Sequence, residues 1–169
     1  MPGADRVHHA EDSWLDLPSA IAMPSLDTLH LTRAAGRRGT VQQLVTACPR
    51  LADLTLEACG GILTELSVRH ARLRRLALRC YHDLSAVAAD SSELRAFDYH
   101  GAVPRRGFLS MQRPPKISLC TLDFCGEEPT GPPELCFLQP FAGVERLHLT
   151  PARLGRGVVG HGAGAFSRG

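Results

Sequence analysis

The sequence contains no asparagine, a single lysine (Lys116) among its 19 basic residues, and an aromatic fraction of only 5%. The first two absences are of the kind that a GC-rich coding sequence produces and carry no functional information. The third predicts that aliphatic side chains carry most of the packing. Charge of either sign is also not in excess: 19 basic against 17 acidic residues leave a formal net charge of +2. Phosphate binding needs a clustered basic field, so nucleic acid and anionic membrane surfaces are not expected partners. No stretch approaches the roughly 18 uninterrupted apolar residues of a membrane span. The N-terminal segment carries Asp5, Arg6, Glu11 and Asp12 where a signal peptide needs an apolar stretch. The expectation is a soluble, non-secreted protein of the cytoplasm or nucleus.

Signatures of catalysis and of metal binding are missing as well. Cys120, Cys125, Cys136 and the His8-His9 pair lack the tight cysteine pairs and matching second half of a zinc site. The stretch Gly160 to Gly164 has neither the Lys-Ser/Thr ending nor the strand-to-helix setting of a phosphate loop. There is no Gly-x-Ser-x-Gly elbow, and His82 beside Asp83 reads as a turn. No enzyme activity, cofactor or metal is expected. With no export signal, the six cysteines are expected to be reduced and structural.

What is there is a recurring Leu-x-x-Leu-x-Leu pattern and its variants. It starts at Leu26, Leu51, Leu73, Leu94, Leu119 and Val144, in steps of 25, 22, 21, 25 and 25 residues. Leucine-rich repeats recur every 20–29 residues or so. A unit that short cannot bury its own apolar face, so its leucines are covered by the units stacked on either side. The predicted fold is therefore an α/β leucine-rich repeat solenoid with a curved parallel sheet and short helices, extended segments and loops on its convex side. Its extent is predicted as residues 19–155, between a loosely ordered lead-in (1–18) and a flexible Gly-rich tail (156–169).

Within the repeats, Val41, Leu44 and Val45 have helical spacing, which predicts a short helix from Thr40 to Cys48 capped at Gly39 or Thr40. Leu63 to Val68 and Leu84 to Ala89 read as extended return legs. The stretches Gly101 to Lys116 and Gly126 to Pro133, rich in breakers, read as irregular loops. Cys59 falls where the repeat pattern asks for Asn or Cys under the turn, and Cys80 is expected in a near-equivalent place.

The runs Leu51 to Cys59, Leu63 to Val68, Leu73 to Cys80 and Leu94 to Gly101, with Leu17-Pro18, Cys48-Pro49 and Phe141 to Leu149, resemble the leucine-rich repeat region of plant F-box/LRR proteins of the FBD-associated group. The resemblance implies the substrate-recognition part of an SCF-type ubiquitin ligase, with a protein substrate as partner. The stretch before Leu26 lacks the length and apolar helical periodicity of an F-box. Adaptor docking is therefore expected only of a longer form that carries one. A second expectation is a truncated gene product, or fragment, without independent function.

Strand alternation turns the residues between the leucines toward a partner. They are expected to form three columns on the concave sheet. The first holds Thr28, Asp53, Arg75, Ala96, Thr121 and Arg146; the second His30, Thr55, Ala77, Asp98, Asp123 and His148; the third Thr32, Glu57, Arg79, His100, Cys125 and Thr150. Candidate partner-binding residues are Asp53, Thr55, Glu57, Arg75, Arg79, Asp98, His100, Asp123, Arg146 and His148. Neighbouring charges are also expected to pair across the columns, Asp53 with Arg75 and Glu57 with Arg79. The densest basic run, Arg69 to Arg79, is split between faces by the same alternation and reads as a solvated surface.

Overall fold

The computed structural model describes residues 13–14, 21–35, 39–59, 64–104, 107–111, 116–125 and 135–150. The Gly-rich tail, the loop Gly126 to Pro133 and most of the lead-in lie outside the described residues. Within them the chain winds through β1 (Ser13–Trp14), β2 (Thr28–Thr32), β3 (Ala34–Ala35), α1 (Thr40–Ala47), β4 (Asp53–Glu57), β5 (Glu65–Arg69), β6 (Arg75–Tyr81) and β7 (Ala86–Asp90). It continues through β8 (Ala96–Gly101), β9 (Leu109–Met111), β10 (Leu119–Phe124), a 3-10 helix (Leu135–Phe141) and β11 (Arg146–Thr150).

The architecture is a parallel β solenoid. From β4 to β10 the chain alternates between two sheets. One is six-stranded, in the order β11-β10-β8-β6-β4-β2; the other is three-stranded, β5-β7-β9. Every pairing is parallel. Strand side chains alternate between faces, so two inward positions per strand align into columns across the larger sheet. One column is Leu29, Leu54, Leu76, Phe97, Cys120 and Leu147, and the other is Leu31, Leu56, Leu78, Tyr99, Leu122 and Leu149. From the opposite side, Leu66, Val68, Val87, Ala89 and Leu109 enter the same core.

The first return leg is helical because Val41, Leu44 and Val45 put one apolar stripe on the core, and α1 starts after Gly39, whose φ of 92° suits glycine. Where the helix gives way to strands, the exposed edge of β5 is met by a side chain. The Gln42 carboxamide accepts from the Arg69 backbone N–H at 2.8 Å and donates to the Arg69 carbonyl at 3.2 Å. It thus substitutes for a neighbouring strand at a sheet edge. The other end of α1 is tied by His70, whose Nε2 donates to the Cys48 carbonyl at 3.0 Å.

Several expectations need correction. The stretch Gly101 to Lys116 is not wholly irregular: Leu109–Met111 pairs with Val87–Ala89 and completes the second sheet. Three residues are too few to show a period. Ser13–Trp14 pairs with Ala34–Ala35 as a two-stranded sheet, and the rest of the expected lead-in lies outside the described residues. Aromatics matter more than their number indicated, because they concentrate in the later coils. Tyr99 meets Phe108 edge-on at 4.9 Å between ring centroids, and Phe97 stacks on Phe141 at 5.6 Å. The Tyr99 hydroxyl donates to the Ala102 carbonyl at 2.8 Å, so its polar atom is satisfied inside the core.

Cys80 is also not equivalent to Cys59. Cys59 is buried, with its thiol 3.5 Å from the Leu31 and Glu57 carbonyls, whereas Cys80 is exposed. A bulge between Arg79 and Tyr81 displaces the chain, and Tyr81 takes the buried place instead. The described cysteines Cys48, Cys59, Cys80, Cys120 and Cys125 are free thiols. Gly101 occupies the corresponding turn of the next coil, where a Cβ would strike the Tyr81 carbonyl and the Tyr99 hydroxyl.

Candidate functional site

The outward residues of the six-stranded sheet form three columns whose register the backbone sets. The turns entering β4, β6, β8 and β10 are each held by a carbonyl of the preceding coil that accepts two N–H groups. The Asp27 carbonyl takes those of Ala52 and Asp53, Ala52 those of Arg74 and Arg75, Arg74 those of Arg95 and Ala96, and Arg95 those of Ser118 and Leu119. This repeated bonding keeps the first outward residues of successive coils in line.

All the residues named from the sequence as candidate partner contacts fall on this face, but one strand is displaced. The first column is Thr28, Asp53, Arg75, Ala96, Leu119 and Arg146. The second is His30, Thr55, Ala77, Asp98, Thr121 and His148, and the third Thr32, Glu57, Arg79, His100, Asp123 and Thr150. Thr121 and Asp123 thus each sit one column later than the leucine pattern predicts, and Cys125 lies past the end of β10. The fifth repeat begins at buried Ile117, not at Leu119, which is 41% exposed. A two-residue slip leaves Thr121, Leu122, Asp123 and Phe124 on their expected faces because the strand period is two, but it moves the outward residues to another column and brings Leu119, expected in the core, to the outer face.

The ion pairs also differ from those expected. Asp53 and Arg75 are register partners, as are Glu57 and Arg79, but neither pair forms. Arg75 turns to the following strand and directs Nε (3.1 Å) and Nη2 (2.5 Å) at Oδ2 of Asp98. Glu57 turns to the preceding strand, where His30 Nε2 lies 3.2 Å from its Oε2. His100 faces Asp123 at 3.9 Å. Both shorter contacts run diagonally, which long side chains on adjacent strands can reach. Exposed pairs of this kind contribute less than about 1 kcal/mol each, so they pattern the surface without holding the fold. Among the described residues, Asp53, Arg79, Arg146 and His148 have no ion-pair partner on this face.

Apolar positions interrupt the face in one area. Ala77 is completely covered by its neighbours, Ala96 is half-buried, and Leu119 projects beside it. The leucine pattern assigned Leu119 to the core. The signal that corrects it is Ile117, which stands three residues before Cys120 as Leu73 stands before Leu76.

Elsewhere, a shallow cleft of about 350 Å³ lies between α1 and the smaller sheet, lined by Val41, Gln42, Leu66, Ser67, Ala88 and Ser110 among others. It brings no set of catalytic groups together. No group of three or more His, Cys, Asp or Glu among the described residues has the geometry to hold a metal ion. Burial pushes the Cys48 thiol up, and burial followed by the charge of Asp98 pushes Cys120 up to about 12. Both act as protonated core residues. Among the described residues, no helix is long and apolar enough to cross a membrane. In comparisons with known proteins, no family model, curated protein or solved structure matches the chain.

Proposed function

We propose that this chain is a non-catalytic protein-binding module: a leucine-rich repeat region of the kind with which plant F-box proteins recognise substrates for an SCF-type ubiquitin ligase. The observation that carries the proposal is the outer face of the six-stranded sheet, where polar and charged side chains are held in three columns by a backbone whose register leaves little freedom. A preordered array lowers the entropy lost when a partner docks, which favours binding over any role that needs a moving loop. The spacing of the repeats and the leucine columns support the leucine-rich repeat assignment, and the resemblance in residues 15–155 supports the F-box protein family. The partner is a protein, met inside the cell in the cytoplasm or nucleus, and no cofactor takes part.

The test is a pull-down with the tagged chain, comparing wild type with a variant carrying Arg75→Glu, Asp98→Lys and His148→Asp. Identified partners that bind the wild type are expected to be lost from the variant. Retention of every partner overturns binding through this face. Ligase association is tested separately: a longer form that includes an F-box is expected to co-purify with the adaptor, and its failure to do so leaves only the binding module.

A further inference from the structure

An interaction surface gains its affinity from a few residues, aromatic side chains and arginines prominent among them, and where a face has no outward aromatic a large aliphatic side chain is the apolar group left to serve as anchor. The outer face of the six-stranded sheet has one large aliphatic side chain, Leu119, at 41% exposed. Single exposed leucines are common on protein surfaces and by themselves mean nothing. The surroundings of Leu119 give it significance. On one side its register partner is Ala96, too small to cover it; on the other it is Arg146, exposed and without an ion-pair partner among the described residues.

Charge on this part of the face is unevenly neutralised. Asp98 is held by Arg75 and Asp123 lies 3.9 Å from His100, so the nearest carboxylates of the second and third columns already have side-chain partners. Arg146 on β11 has none among the described residues, and exposed Arg95 and Lys116 precede β8 and β10, against Glu145 before β11. Asp53, the unpaired acid of the first column, sits three strands from Leu119, about 14 Å at the usual strand spacing. The C-terminal half of the face is therefore an apolar projection beside uncompensated positive charge.

We infer that Leu119 and Arg146 form the specificity-determining part of the binding face and that it takes an acidic protein segment carrying a large apolar side chain. The apolar group packs on Leu119 over Ala96 while a carboxylate bonds to the Arg146 guanidinium, an arrangement suited to bidentate contact. This inference rests on the binding role proposed for the same face.

The experiment uses the whole chain and three fluorescein-labelled synthetic peptides: a glutamate-rich peptide with a central leucine and phenylalanine, the same peptide with both replaced by serine, and the same apolar pair in a lysine-rich background. Fluorescence anisotropy is expected to show the acidic apolar peptide binding at least about tenfold tighter than either control. Leu119→Asp and Arg146→Glu are each expected to weaken it by about tenfold or more while each variant still melts cooperatively, both side chains being largely outside the core. Equal affinity for the three peptides, or no binding of the acidic apolar peptide up to about 1 mM, overturns the inference. So does binding that survives both variants. In that last case Thr55→Arg separates the two claims: loss of binding keeps the face as the interface and removes only the role of Leu119 and Arg146, whereas full retention removes the face itself.

Discussion

Leu76 and Leu147 occupy the same inward column of the same sheet, yet Leu76 is 0% exposed and Leu147 is 45% exposed. The sequence around them is of one type, Leu73-x-x-Leu76-x-Leu78 in one coil and Val144-x-x-Leu147-x-Leu149 in the other. What differs is the neighbour. β6 lies between β4 and β8, whereas β11, among the described residues, pairs only with β10. Burial in this molecule is therefore a property of the stack, with each coil's leucines covered by the coils on either side. Pairing holds β11 in register, but its two inward leucines, Leu147 and Leu149, gain only partial cover.

The largest expected effect follows directly. Leu76→Ala removes a fully buried side chain from a position that cannot collapse, and is expected to lower stability by about 2–5 kcal/mol. Leu147→Ala removes the same atoms from a half-covered site and should cost about 1 kcal/mol or less, in proportion to the area it had buried. Urea denaturation followed by circular dichroism measures both. Equal losses would break the comparison, since burial would then come from within each coil.

The second expectation concerns the coil between these extremes. Cys120 lies in the same column, between Phe97 and Leu147, and is 0% exposed. Its thiol, pushed up to about 12 by burial and then by the charge of Asp98, is unreactive while β11 stays paired. Under native conditions at neutral pH, Cys80 should alkylate first, because it is exposed, and Cys120 only through opening of the stack. Leu147→Ala should speed labelling of Cys120, measured by mass spectrometry of digested protein, and leave that of Cys48 beside α1 unchanged. The same shift gives a pH dependence. The unfolded thiol ionises near its ordinary 9.0 and the folded one only near 12, so this group's contribution is complete below pH 9 and is lost as pH rises between the two. Tyr81 and Tyr99, raised mainly by burial, act in the same direction. The urea midpoint should fall steadily above pH 9, and a flat profile would show that Cys120 is not held in the core.

The leucine pattern made the solenoid legible because its period is long, repeated and coupled to burial. The helix at Thr40–Ala47 and the extended legs at Glu65–Arg69 and Ala86–Asp90 were legible from local spacing. The displaced strand was not, because Leu119, Leu122 and Phe124 satisfy the pattern as well as Ile117, Cys120 and Leu122 do. Which triplet is inward depends on the register with β8, a contact between residues more than twenty positions apart. The ion pairs escaped for a related reason: a register neighbour is only one of several groups within reach of an arginine or glutamate. Arg75 had carboxylates on both flanking strands, Asp53 and Asp98, and takes the one on β8. The residues named from the sequence thus share one outward face of the sheet, while the ion pairs among them differ from those expected and Leu119, expected in the core, stands on that face.

The smallest expected effect lies in the turns that leave the sheet, and it separates the inner coils from one another. Arg33, Ala58 and Cys80 follow β2, follow β4 and lie within β6 near its end, and have φ of 52°, 48° and 58°. This left-handed conformation costs an L-residue roughly 1–2 kcal/mol relative to its usual states. The turns persist because their N–H groups are used: Arg33 donates to the Glu57 carbonyl and Ala58 to the Arg79 carbonyl, both at 2.9 Å. Glycine accepts the conformation without the Cβ clash but loses more freedom on folding, which offsets about half of the gain. Ala58→Gly and Cys80→Gly should therefore each stabilise the protein by about 0.5–1 kcal/mol, read as an increase in urea midpoint at unchanged slope. The half-buried methyl of Ala58 packs little, and exposed Cys80 less, so Cys80→Gly should give the larger increase. A loss of stability at both positions would mean that these turns are held by side-chain packing, and the strain assigned to them would have to be withdrawn.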